Sequence, residues 1–200
     1  MIKKNTYSWD NSYSLLCDKL KLDSAHVRHG SMPEKTLKII SQYLKGNGLQ
    51  IGGFVGLTHC YIANYLQGKG GSICTIDPNL THRNIKNPIH IMNHLVNHYE
   101  FAENSLIVMG YAIPQMKIFE KIESKFNFVI IDGTHDENSV MNEVYQADKI
   151  LKDGGFIILV DIDHWEGPKS VYKNFSFKNY IKVNCDSRAG ILMKDLKIEL

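Results

Sequence analysis

The most constraining feature of the sequence is a short apolar run that ends in a cluster of glycines and leads into a helical pattern. It extends from Gly48 to Ala63 and reads GLQIGGFVGLTHCYIA. A second apolar run, SICTIDPN, follows and places an acidic residue, Asp77, at its end. A strand, glycine loop, helix and second strand in this order are typical of domains that bind an adenosine-containing cofactor. The sequence therefore predicts an α/β domain organised around this unit.

Apolar runs and helical patterns alternate along most of the chain. We predict strands at 48–52, 72–77, 105–109, 126–132 and 155–161, and helices at 57–67, 88–99, 113–124 and 137–151. Runs such as FNFVIID and GGFIILVD are typical of strands buried on both faces of a parallel sheet. The last two apolar runs, YIKVNC and AGILMKD, are separated by only a short turn, which predicts an antiparallel pair. These patterns indicate a doubly wound α/β fold.

The beginning of the chain is more polar than the rest. Residues 1–30 are predicted to form an N-terminal arm or short helices, and residues 31–200 to form one domain. Ser31, Pro33 and Glu34 have the form of a capping box. We therefore expect a helix whose first turn is capped by the Ser31 side chain and which ends near Gly46.

Composition excludes several classes of partner. The chain of 200 residues carries a formal net charge of +2 without a basic stripe, so we expect no nucleic-acid partner. No apolar run approaches the ~20 residues of a membrane span, and the N-terminus does not resemble a signal peptide. The four cysteines form no CxxC pair, which is typical of free thiols in a reducing compartment. The sequence predicts a cytoplasmic protein with no membrane contact.

Two neighbouring apolar runs end in polar side chains that could bind a metal or take part in catalysis. Asp132 and His135 follow the fourth strand, and Asp161, Asp163 and His164 follow the fifth. Adjacent strand ends lie ~5 Å apart, so we expect these side chains to converge. Carboxylates and imidazoles in such a group can hold a divalent metal or supply a general base.

The combination of motifs resembles class I S-adenosylmethionine-dependent methyltransferases. The similar branch contains catechol O-methyltransferase and bacterial sugar and antibiotic O-methyltransferases. The resemblance covers roughly residues 31–195 and rests on a set of matched segments: the first loop Gln50–Thr58, the acid Asp77, Gly110–Ala112, the motif Asp132–His135, the turn Lys152–Gly155 and the last strand Gly190–Lys194. It implies a Rossmann-like sheet of seven strands in the order 3-2-1-4-5-7-6, with strand 7 antiparallel.

The resemblance also implies roles for individual residues. His135 would act as general base on an acceptor hydroxyl, together with Asp132. A divalent metal such as Mg²⁺ would be held by Asp132, Asp161 and Asp163. The residues implied to contact S-adenosylmethionine are Gln50, Gly52, Gly53, Gly56, Thr58, Asp77, Pro78, Gly110, Tyr111, Ala112 and Asp132.

Three positions depart from the pattern of the family. Gln50 stands in place of the first-loop acid, and Tyr111 in place of the usual acid beside adenine. Ile162 occupies the position directly after Asp161 where metal-dependent relatives have a third ligand, and Asp163 comes one residue later. These departures leave metal dependence open.

The predicted function is methyl transfer to an oxygen of a small molecule, with sugars and secondary metabolites as candidate acceptors. One alternative is a non-catalytic cofactor-binding or subunit-interaction protein of the same fold, which the substitutions at Gln50 and Tyr111 keep open. Another is an NAD-dependent oxidoreductase, which the Gly-Gly-x-x-Gly spacing disfavours. A homo-oligomer is compatible with the sequence, which does not specify an oligomeric state.

One regular histidine pattern is not assigned a function. His90, His94 and His98 recur every four residues in the segment 88–99 and would share one face of a helix. Because the apolar residues of this segment fall on the opposite face, we expect the three imidazoles to face solvent.

Overall fold

The computed structural model describes residues 6–183 and 187–196, and its centre is a mixed sheet of seven strands. The sheet order is β3-β2-β1-β4-β5-β7-β6, which confirms the predicted order. β7 pairs antiparallel with both β5 and β6, whereas the other pairs are parallel. The strands are β1 (Asn47–Ile51), β2 (Ser72–Asp77), β3 (Ser105–Met109), β4 (Phe126–Ile131), β5 (Leu151–Val160), β6 (Tyr180–Val183) and β7 (Ala189–Lys194).

Eight α-helices surround the sheet within these ranges. They are α1 (Trp9–Ser14), α2 (Ser24–His29), α3 (Glu34–Ile40), α4 (Leu57–Leu66), α5 (Pro88–His98), α6 (Ala112–Lys121), α7 (Glu137–Ile150) and α8 (Glu166–Asn174). A π-helical segment, Leu15–Lys19, continues α1, and 3₁₀ turns lie at Ser41–Tyr43 and Ala102–Asn104. The described part of the N-terminal segment, residues 6–30, thus contains short helices, one of the two forms predicted for it.

The hydrophobic core is divided by the sheet into two clusters. Residues of α1 to α5 pack with Phe128 and Ile130 of β4 on one face, whereas residues of α6, α7 and α8 pack with Val129 and Ile131 on the other. Alternate residues of β4 therefore enter opposite clusters, as the pleat of a doubly covered strand requires. The continuous apolar run of the fourth strand is explained by burial on both faces.

Two local predictions are wrong. The structure begins α3 at Glu34 with Pro33 as its N-cap and no side-chain cap bond, so Ser31 does not close a capping box. The reason is that a residue before proline is disfavoured in the α region, which keeps Met32 outside the helix. The helix also ends earlier than expected, at Ile40.

The sequence analysis did not predict α8. Its first turn contains Gly167 and Pro168, which obscure a helical pattern. Proline is tolerated there because first-turn N–H groups lack intrahelical partners. A Cβ at Gly167 would lie 2.1 Å from the backbone oxygen of His135, so glycine allows α8 to approach the loop that carries this histidine.

Two further findings concern the surface. His90 and His94 are exposed, as predicted for this face of α5. His98, at the end of the helix, is half-buried. Among the described residues, no helix combines the length and the apolar character that crossing a membrane requires.

Candidate active site

The predicted site residues lie at the carboxyl ends of β1, β2, β3, β4 and β5. Open α/β sheets bind their ligands at this edge, because the loops that leave the parallel strands meet there. The site has two parts. After the predicted roles, we call the loops that follow β1, β2 and β3 the cofactor half, and the loops that follow β4 and β5, together with the residue that precedes β7, the acceptor half.

The first loop of the cofactor half needs glycine at two positions. Gly52 has a φ of +82°, and a Cβ there would lie 2.2 Å from the backbone oxygen of Asp132. Gly56, the N-cap of α4, has a φ of +90°, and a Cβ there would lie 2.6 Å from Met92 Cγ. Both positions favour glycine, since other residues rarely adopt positive φ and the neighbouring atoms leave no space.

Asp77 holds this loop from the neighbouring strand. Its Oδ2 accepts hydrogen bonds from the backbone N–H groups of Gly53 (2.9 Å) and Phe54 (3.0 Å). Its Oδ1 accepts from the N–H of Asn79 (2.8 Å). A carboxylate has about four acceptor positions, so three are used by the backbone and about one is left for a ligand. Asp77 therefore shapes the loop, and its predicted contact with ribose stays a prediction.

Gln50 is part of a buried chain of polar side chains. Its Nε2 donates to the Gly52 backbone oxygen at 2.7 Å, and its Oε1 accepts from Thr75 Oγ1 at 3.4 Å. The same Thr75 oxygen lies 2.7 Å from Nδ1 of His59 in α4. Because Thr75 has one hydroxyl proton and gives it to Gln50, donor counting places the His59 proton on Nδ1. The amide of Gln50 thus binds the loop, an interaction that an ionised acid could not make.

The remaining residues predicted to bind the cofactor surround this loop. Thr58 is buried in the first turn of α4, and Pro78 is half-buried directly after β2. The N–H of Gly110 donates to the Asp77 backbone oxygen at 2.9 Å. Tyr111, the N-cap of α6, is 63% exposed, and Ala112 begins that helix. Tyr111 could therefore be covered by a ligand without rearrangement of the core.

The acceptor half brings together three of the predicted residues. Asp132, His135 and Asp161 each offer one ligand atom, and these atoms lie within 4.8 Å of one another. Nε2 of His135 is 3.4 Å from Oδ2 of Asp161, which is an ion-pair distance without the alignment of a good hydrogen bond. The His135 ring is stacked on Trp165, with centroids 4.9 Å apart and an interplanar angle of 19°. Trp165 thus fixes the plane of the imidazole.

A fourth member of this group, Arg188, was missed by the sequence analysis. Its Nη2 lies 2.8 Å from Oδ1 of Asp161. Its backbone oxygen accepts from the Ile162 N–H at 3.2 Å, which extends the β5–β7 pairing by one step. The residue is distant in the sequence and belongs to none of the quoted motifs. The only sequence signal for Arg188 is its place directly before β7, a strand that is predicted to be antiparallel.

Burial and charge drive the pKa values of the two carboxyl groups in opposite directions. Burial, reinforced by the nearby charge of Asp161, raises the pKa of Asp132 well above its ordinary value. Burial alone would also raise the pKa of Asp161, but the interactions with His135 and Arg188 outweigh it and hold this pKa below its ordinary value. Asp161 is therefore the ionised partner of His135.

Asp163 does not join the cluster. It is exposed, and its Oδ1 lies 2.8 Å from Nδ1 of His164. The backbone turns sharply after β5, since Asp161 has a φ of +61° and its oxygen accepts from the N–H groups of both His164 and Trp165. The predicted trio of metal ligands is thus reduced to Asp132 and Asp161. Beside them stand an imidazole and a guanidinium, which is a poor set for Mg²⁺.

Comparisons with known proteins agree with the fold. A family model described as a methyltransferase domain matches residues 49–180. An O-methyltransferase from Bacillus cereus, solved in complex with SAH, is similar with a TM-score of 0.71 at 15% identity, over 98% of this chain and 94% of that chain. A Staphylococcus aureus protein provisionally described as a caffeoyl-CoA O-methyltransferase gives 0.66 at 16% identity, over 94% and 100%.

A third solved structure is the O-methyltransferase TomG from Streptomyces achromogenes, involved in tomaymycin synthesis and solved with SAM. Its TM-score is 0.62 at 11% identity, over 97% of this chain and 92% of that chain. At such identities the structural likenesses show the fold alone. No curated protein matches the sequence.

Proposed function

The chain belongs to the methyltransferase-domain family, and from that premise we propose that it transfers a methyl group from S-adenosylmethionine to an oxygen of a small molecule. The observation that carries this proposal is the His135–Asp161 pair, which stands at the same sheet edge as the glycine loop. The solved relatives with SAH and SAM support the choice of cofactor. Sugars and secondary metabolites remain the candidate acceptors.

The cofactor half fits a ligand of this kind. The N-terminus of α4 follows Gly56 and has no side-chain cap bond within the described residues, so its first N–H groups are available to a ligand. The exposed ring of Tyr111 is a surface on which adenine could stack. The family match covers residues 49–180, which include the cofactor half and the loops after β4 and β5.

The acceptor half supplies a base. When bound, S-adenosylmethionine provides a sulfonium methyl group that passes to the acceptor oxygen as its bond to sulfur breaks. The His135 imidazole takes the hydroxyl proton as a general base. Asp161 lies 3.4 Å from Nε2 of this ring and stabilises the imidazolium that forms. Trp165 holds the ring plane, which fixes the direction in which the proton leaves the acceptor.

The two alternative functions make different predictions for ligand binding. An oxidoreductase of this fold would bind NAD, and a non-catalytic relative would bind no cofactor or bind it without turnover. Membership of the methyltransferase-domain family disfavours the oxidoreductase. We keep a cytoplasmic location, a small-molecule partner, the absence of nucleic-acid and membrane partners, and an undecided homo-oligomeric state as parts of the proposal.

Thermal unfolding with SAH, with NAD and without ligand tests the proposal. We expect SAH to raise the melting temperature by mass action and NAD to leave it unchanged. Incubation with methyl-labelled S-adenosylmethionine and a panel of hydroxylated acceptors should then give a labelled product. A shift with NAD alone, or SAH binding without transfer to any acceptor class, would contradict it.

A further inference from the structure

Arg188 is fixed at the acceptor half by its main chain. Val160 pairs with Ala189 in the β5–β7 ladder, and the Arg188 backbone oxygen accepts from Ile162 at 3.2 Å. These bonds place residue 188 across from Asp161, as in a cross-strand pair. The Arg188 side chain is only 20% exposed, and its Nη2 lies 2.8 Å from Asp161 Oδ1. A guanidinium with its positive charge therefore belongs to this part of the sheet edge.

Each oxygen of Asp161 lies at ion-pair distance from a nitrogen of Arg188 or His135. Oδ1 faces Arg188, and Oδ2 faces Nε2 of His135 at 3.4 Å. The side chain is 12% exposed, so it has little contact with water that could replace either partner. Asp161 thus connects the guanidinium to the imidazole.

A divalent ion at the cluster would compete with this guanidinium. An ion coordinated by Oδ1 of Asp161 would sit about 2.1 Å from that oxygen, and therefore within ~5 Å of Arg188 Nη2. At such a distance, and away from bulk water, repulsion between a dication and a fixed cation is strong. The carboxylate that would have completed the ligand set, Asp163, is turned toward His164 instead.

We propose that Arg188, and not a divalent metal, is the permanent cation of the acceptor half, and that it positions His135 by holding Asp161. This inference rests on the proposed function and adds to it that methyl transfer needs no metal. Arg188 acts through Asp161, so it is a positioning residue. A metal-dependent enzyme would have to move this side chain out of the cluster before the ion could bind.

Mn²⁺ binding to the full chain, followed by electron paramagnetic resonance with and without SAH, tests this inference. We expect the wild-type protein to bind Mn²⁺ at this cluster no more tightly than about 1 mM. Arg188→Met should bind at least about tenfold more tightly, because the repelling charge is gone while Asp132 and Asp161 remain. Arg188→Lys and the exposed control Arg83→Met should behave like the wild type. In the double variant that combines Asp161→Asn with Arg188→Met, the gain in Mn²⁺ affinity should be lost.

Two results would overturn the inference. One is tight Mn²⁺ binding by the wild-type protein that Asp161→Asn abolishes. The other is an Arg188→Met protein that is folded by circular dichroism and binds no more Mn²⁺ than the wild type. The wild-type measurement keeps the test decisive if the variant does not fold. Since Mn²⁺ binding is recorded in the absence of SAH as well, failure here is distinguishable from failure of the proposed cofactor.

Discussion

The two halves of the site are built in different ways from the same sheet edge. In the cofactor half, side chains form hydrogen bonds with backbone groups: Asp77 accepts from three N–H groups, and Gln50 donates to a loop carbonyl. In the acceptor half, ionisable side chains from three segments face one another: His135, Asp161 and Arg188. The first arrangement fixes the shape of a loop, whereas the second fixes charges around a reacting proton.

This difference predicts that substitutions will separate binding from turnover. Changes in the cofactor half should weaken SAH binding and thereby reduce activity. Changes in the acceptor half should reduce turnover and leave SAH binding close to that of the wild type. The following variants test this separation, from the largest expected effect to the smallest.

His135→Ala should have the largest effect. Loss of a general base costs about 10²- to 10⁴-fold in turnover, and we expect SAH affinity to change little because the imidazole is held by Asp161 and Trp165. Turnover of labelled S-adenosylmethionine and calorimetric SAH titration measure the two quantities. His164→Ala is the matched control, since His164 pairs with an aspartate at the exposed surface. Equal turnover in the His135 variant and the wild type would remove His135 from the mechanism.

Asp77→Asn should mainly weaken the binding of SAH. Asparagine keeps only one acceptor oxygen, so its NH₂ group must face either the Asn79 N–H or the two loop N–H groups, and the negative charge that strengthens these bonds is lost. The glycine loop is therefore held less firmly. Hydrogen bonds to a charged group contribute about 1.5–3 kcal/mol, and we expect SAH affinity to fall roughly 100-fold. Asp163→Asn, at an exposed position, serves as the control in the same titration. If SAH bound Asp77→Asn as tightly as the wild type, the loop would not depend on this carboxylate.

The smallest effect concerns stability and pH. Burial lowers the pKa of His59 to about 3, from about 6.5 in an unfolded chain. Below pH 6.5 the unfolded state therefore binds a proton that the native state excludes, and the contribution of His59 to the free energy of unfolding falls as the pH decreases. For this residue the linkage relation gives a loss of about 2 kcal/mol between pH 7.5 and pH 5.

Denaturant unfolding of His59→Asn between pH 5 and pH 7.5 checks this loss. The asparagine amide can replace the donor that Nδ1 gives to Thr75 but does not titrate, so this variant should lose less stability on acidification. His90→Gln, which changes an exposed imidazole, should keep the pH dependence of the wild type. If the free energy of unfolding depended on pH in the same way for His59→Asn and the wild type, the fold would not prevent protonation of His59.

The glycine loop and its position beside Asp77 could be predicted from the sequence because these residues are close along the chain. Gly52, Gly56 and Asp77 belong to one strand–helix–strand unit, and their backbone requirements are visible as residue types. The strands could also be predicted, because burial on both faces of the sheet leaves a continuous apolar run in the sequence. Sequence analysis did not reveal that Asp77 accepts from the loop itself, which depends on the exact approach of β2 to the loop.

The acceptor half was less accessible because its contacts depend on tertiary structure. Asp163 was grouped with Asp161 by proximity in sequence, but the turn after β5 directs it away. Arg188 was not considered, because only the antiparallel pairing of β7 with β5 brings it across from Asp161. At Gln50 the sequence shows only that an amide stands in place of an acid. In the structure, however, its amide donor binds the Gly52 carbonyl.

The separation between the halves can be tested most directly by an amide NMR titration of the wild-type protein with SAH. We expect saturable shift changes at Gly52, Gly53 and Gly56 and at the residues that follow β2. The amides of Ile162 and Arg188 should stay near their starting positions, because SAH occupies only the cofactor half. Absence of saturable changes in the glycine loop, or changes confined to Ile162 and Arg188, would contradict the proposed cofactor site.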